Sequence, residues 1–214
     1  MKKAIKKLAE VGLAIIALAQ PINAEQNRID LGYNALETAV QASEGQDSQL
    51  RNRLLTNVEY NLGDAVIGYH GLNEVNNADS NTYFGRNVVT AGKKDVPTRF
   101  AAVTKANSNG IFDTKVGIRD TRIQDVLGGY GFTDITANGD AVGIDVLFGK
   151  PLPHGFSFEV YQSTTLPFEG EKNHYTELQL NKNLNDRFSI FGRSEIPNFN
   201  KNNANYLVGG TIKF

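Results

Sequence analysis

The chain is 214 residues long, with 22 Lys+Arg against 23 Asp+Glu, no cysteine and no tryptophan. That near balance leaves no basic excess to neutralise phosphates, so nucleic acid is not an expected partner, and the lack of cysteine excludes a disulfide framework. The length suits one domain, and no proline-rich or low-complexity linker divides it.

Residues 1–24 carry Lys2, Lys3, Lys6 and Lys7 ahead of an apolar run over 11–19 and an ending at Ala24. This is the layout of a secretory signal cleaved after Ala24, and the run is far shorter than the ~20 residues a membrane helix needs. The expected mature domain is 25–214, net acidic once four lysines and one glutamate are removed. Without cysteine it cannot carry a lipid anchor on an N-terminal cysteine.

Beyond Ala24 the recurring pattern is alternation with a period of two, the mark of strands with one apolar and one polar face. Over 53–62, Leu54, Val58, Tyr60 and Leu62 alternate with Arg53, Asn57, Glu59 and Asn61. Phe112, Val116 and Ile118 alternate with Asp113, Lys115 and Arg119. Val142, Ile144, Val146 and Phe148 alternate with Asp145 and two glycines, and Phe156, Phe158 and Val160 with Ser157 and Glu159.

The pattern predicts about twelve strands, near 28–35, 51–62, 65–74, 82–90, 98–106, 111–119, 129–136, 140–149, 155–164, 173–182, 187–195 and 204–214, with ten as the alternative count. Stretches rich in Gly, Asn, Asp and Pro at 62–64, 107–110, 137–140, 151–155 and 183–186 supply hairpin turns. Longer polar connections fall at 36–50, 75–81, 165–172 and 196–203. All four lie on the outer side if the chain starts on the periplasmic side, with tight turns at 63–64, 150–154 and 183–186 inside. The connection over 120–128 is long and lies inside, against that rule.

The last strand puts Tyr206, Val208, Ile212 and Phe214 on one face, with Leu207, Gly209, Thr211 and Lys213 on the other. An aromatic terminus closing such an alternation resembles the final strand of bacterial outer-membrane β-barrel proteins, where this segment is the signal read by the assembly machinery. The resemblance implies an all-β fold: one closed, antiparallel, up-and-down transmembrane barrel in the outer membrane. Its partners would be outer-membrane lipid and the assembly machinery. It names no solute.

Tyr60, Phe148, Phe156, Phe188 and Phe214 fall near the inner turns, where an interfacial aromatic girdle belongs. The polar faces carry Arg53, Glu59, Asp113, Lys115, Arg119, Asp145, Glu159, Glu177, Arg187, Arg193 and Lys213. In a membrane barrel these line the lumen, either as a transverse field selecting small charged solutes or as pairs that close it and leave a structural anchor. The same alternation also fits a soluble lipocalin-like barrel with an apolar interior and an apolar ligand. Phe132 and Asp134 share a face, which puts a carboxylate toward lipid if the aromatic points there, at a cost of a few kcal/mol.

No catalytic chemistry is expected. His70, His154 and His174 form no Ser/His or Asp/His constellation, no nucleophile elbow or phosphate loop occurs, and the 128–131 glycine cluster lacks dinucleotide-binding spacing. No cofactor or metal is implied, and the Asn/Asp-rich stretch over 73–81 suits a solvated loop.

Overall fold

The computed structural model describes residues 27–43, 48–76 and 82–214; the predicted signal over 1–24 lies outside the described residues. Its strands are β1 (Asn27–Leu31), β2 (Ala35–Ser43), β3 (Gln49–Leu62), β4 (Ala65–Asn76), β5 (Thr82–Lys93), β6 (Thr98–Asn107), β7 (Gly110–Asp120), β8 (Tyr130–Ala137), β9 (Ala141–Leu152), β10 (Phe156–Pro167), β11 (Asn173–Asn183), β12 (Phe188–Pro197) and β13 (Asn205–Lys213). Each pairs antiparallel with its sequence neighbour from β2 onward, and β13 pairs back onto β2, so the sheet closes.

β1 and β2 occupy one place in the ring. Both lie against β3, residues 27–31 opposite 62–58 and 35–41 opposite 55–49. Between them the Gly32 N–H donates to the Asn57 carbonyl (2.9 Å) and the Asn57 N–H to Asn34 Oδ1 (3.0 Å), so the strand jogs without leaving the ladder. The barrel therefore has twelve strands, not ten.

The predicted loop over 36–50 is strand as far as Ser43. Alanines on both faces hide the alternation there: Ala35 and Ala39 point inward, Ala42 outward, and only Leu36 and Val40 mark the outer face. The connection over 120–128 holds the short helix α1 (Ile123–Leu127), which ends on Gly128 in the left-handed region at φ 65°. Gln124 Nε2 donates to the Gly131 carbonyl (2.8 Å), tying α1 to the rim where β1 starts and β13 ends.

The two faces differ sharply. On β9, Ala141, Gly143, Asp145 and Gly149 are buried, while Val142, Ile144, Val146 and Phe148 face outward. On the outer face of other strands, Leu180 is 51 % exposed, Ile190 50 % and Val208 72 %. An exterior this apolar is the reverse of a lipocalin and matches a wall facing acyl chains. Tyr60, Phe148, Phe188 and Phe214 lie in the half of the wall nearest the terminal rim, where Phe148 meets Phe158 edge-on at 5.8 Å.

Inside, small apolar clusters pack the wall at Val88, Ala101 and Val103, and at Ala39, Phe191 and Leu207. The remaining inward positions are mostly charged or polar.

Candidate functional site: the barrel lumen

Inward parity on β2, β3, β4, β11 and β12 brings one set of charges together. Arg51 donates to Gln41 (2.8 Å), Glu195 (2.6 Å) and Glu74 (2.5 Å). Arg53 meets Glu177 through both Nη atoms (2.9 and 3.2 Å) and Glu74 through Nε (3.1 Å). Arg193 donates to Glu37 and to Gln179 (2.6 Å). Planar guanidinium forks suit this sharing, since one Arg can satisfy carboxylates on several strands at once.

A second set lies against β5 to β9. Arg119 makes a bidentate pair with Asp134 (2.7 and 2.8 Å), and Arg86 Nη2 bridges Asp134 (2.8 Å) and Asp145 (2.7 Å). Arg119 also lies over the Phe132 ring, its Cζ 3.8 Å from the centroid. Tyr161 donates to Asp145 (3.1 Å). Phe132 and Asp134 do share a face, but it is the inner one, so no carboxylate meets lipid there.

Arg53, Glu59, Asp113, Lys115, Arg119, Asp145, Glu159, Glu177, Arg193 and Lys213 all stand on inward-facing positions. Glu59 pairs with Arg99, and Asp113 with Lys115. Arg187 does not belong with them. Asn185 Oδ1 accepts from the N–H groups of Arg187 and Phe188 (2.9 Å each), a turn that ends the wall before Arg187 and leaves it exposed. Glu37, Arg51, Glu74, Arg86, Arg99, Lys105, Asp134 and Glu195 are further inward charges. Two carried a plain signal, since Arg51 and Glu195 stand two residues from Arg53 and Arg193 and share their parity.

The inward charges other than Asp113, Lys115, Asp134 and Asp145 line a cavity of about 1450 Å³. Its lining runs from Lys213, Asn183 and Gln124 at the terminal rim to Gln41, Glu74 and Pro197 at the opposite one. Several of these ion pairs reach over strands that lie between their partners, Arg53 of β3 to Glu177 of β11 and Arg86 of β5 to Asp145 of β9 each reaching four strands round the ring, yet among the described residues none links the first set of charges to the second.

The histidines stand apart: His70 faces inward, His154 sits in the turn after β9, and His174 faces outward against Phe199 with ring centres 4.9 Å apart. Among the described residues no group of three or more His, Cys, Asp or Glu is arranged to hold a metal.

No family model and no curated protein matches the chain. Among solved structures it is similar to the KdgM porin, at 7 % identity and a TM-score of 0.53 over 84 % of this chain and 99 % of that one. A loop-deletion mutant of OmpT, an outer membrane protein of Vibrio cholerae, matches at 8 % identity and a TM-score of 0.36 over 89 % and 100 % of the two chains. The fold is that of the outer-membrane β-barrels.

Proposed function

We propose that the protein is a narrow outer-membrane channel through which small charged or polar solutes diffuse, with no catalytic step. The observation that carries this reading is the cavity lined from rim to rim, with the arginines and carboxylates of each charge set paired within that set. A plug would instead be expected to tie the two charge sets to each other across the axis. Twelve strands enclose more space than the side-chain-filled eight-stranded case and far less than a sixteen-stranded porin.

In the same reading residues 1–24 direct export and are removed. The rim holding α1 faces the periplasm, and Tyr206, Val208, Ile212 and Phe214 form the strand that the assembly machinery reads. Fixed charges of both signs around a constriction favour solutes by charge as well as size. The test is single-channel recording in a planar lipid bilayer. Discrete current steps in KCl are expected; a folded, inserted protein that passes no current would leave the structural-anchor reading in its place.

A further inference from the structure

Nearly every charged side chain on the inner wall has an ion-pair partner. The exceptions among the described residues are Glu159, Lys213 and Lys105. Two of these, of opposite sign, stand together near the terminal rim. Glu159 Oε1 accepts from Asn181 Nδ2 (3.1 Å), and Lys213 Nζ donates to Asn183 Oδ1 (3.1 Å). Asn181 and Asn183 are successive inward positions of β11, about 7 Å apart along the strand. The two free charges are thus anchored side by side without meeting.

Aromatic rings flank the gap. Tyr33 has Lys213 Nζ 5.8 Å from its ring centre, and Glu37, Glu159 and Arg193 are its charged neighbours. Tyr130, Gly149 and Glu159 are directly opposed on β8, β9 and β10. Because Gly149 has no side chain, the Tyr130 ring lies across it, its Cζ 2.2 Å from where a Cβ would stand, and reaches toward Glu159. All four side chains line the same cavity.

A carboxylate without an ion-pair partner attracts an ammonium group, and a lysine without one attracts a carboxylate. We propose that this pair, Glu159 and Lys213 with Tyr33 and Tyr130, is a binding subsite for a small zwitterion such as an α-amino acid, its ammonium on Glu159 and its carboxylate on Lys213. An ammonium and a carboxylate carried ~3 Å apart, with one hydrogen bond of about 2.8 Å at each end, span a gap of this order. A solute with one charge satisfies only one of the two groups and leaves the other unpaired. The subsite rests on the channel reading for its access from bulk solution.

Saturation-transfer NMR on the whole, detergent-solubilised barrel tests it, with L-alanine as the zwitterion and acetate and methylammonium as single-charge probes. L-alanine is expected to bind more tightly than either probe. Glu159→Gln and Lys213→Met are each expected to weaken L-alanine binding about tenfold, the loss of one charge-assisted contact, and the double variant, which loses both contacts, more than either single one. A retained heat-dependent gel shift shows that each variant is folded, and Glu159→Gln keeps the side chain's shape. Acetate or methylammonium binding as tightly as L-alanine, or folded variants that bind L-alanine unchanged, would overturn the subsite. L-alanine binding by a barrel that passes no current would refute the channel and leave the subsite standing; current without L-alanine binding would do the reverse.

Discussion

Arg119 lies over Phe132, its guanidinium carbon 3.8 Å from the ring centre, while two of its nitrogens hold Asp134. One cation is shared between a π face and a carboxylate inside a wall whose outside is apolar. Asp134 also holds Arg86, so a single fully buried carboxylate neutralises parts of two cations. Removing it leaves both arginines short of a partner. Asp134→Ala is expected to destabilise the barrel by about 3–5 kcal/mol, read as an earlier midpoint in urea unfolding from lipid vesicles. A midpoint within error of the parent would mean that the pair does not stabilise the wall.

Lys105 points into the lumen without an ion-pair partner, whereas Arg187 stands on an exposed turn. Reversing the first charge should move ion preference toward cations, and reversing the second should not. Reversal potentials across a KCl gradient are expected to shift for Lys105→Glu and stay at the parent value for Arg187→Glu. Equal shifts from both variants would contradict the placement of the two residues.

The outer face of β9 allows a depth test. Ile144 lies mid-strand on that face, next to the buried Asp145. Ile144→Arg is expected to cost about 2–4 kcal/mol in lipid, measured as lost folding yield into vesicles. A yield equal to the parent's would place Ile144 outside the acyl region.

Gly149 has a steric role that the zwitterion subsite makes measurable. A Cβ there meets the Tyr130 ring at 2.2 Å, so Gly149→Ala must move the ring off its place beside Glu159. The variant is expected to lose L-alanine binding to the same degree as Tyr130→Leu, by the same NMR measurement. Unchanged binding would show that the ring takes no part.

Much of the wall was legible because Val142, Ile144 and Val146 alternate with glycine and aspartate in a way only a strand explains. The segment over 36–43 was not, since alanine fits both faces and carries no parity signal. Arg187 has the parity of Arg193, but an Asn185 turn ends the wall first, and parity says nothing about where a strand stops. Phe132 broke the rule that aromatics mark the lipid face because a lumen arginine gives its ring a partner inside. Pairing was hidden altogether. Arg53 and Glu177 are 124 positions apart, and their contact depends on ring closure, a non-local property no local window contains.

A charged lumen requires that the outer side of the wall be the greasy one, and the absence of native cysteine makes that directly measurable. Single cysteines introduced one at a time over 142–147 of β9 can each carry a nitroxide label in the lipid-reconstituted barrel. Oxygen, which concentrates in acyl chains, is expected to reach the labels at 142, 144 and 146 and to be excluded from those at 143, 145 and 147. The opposite alternation, or none, would contradict a charged lumen enclosed by a lipid-facing wall.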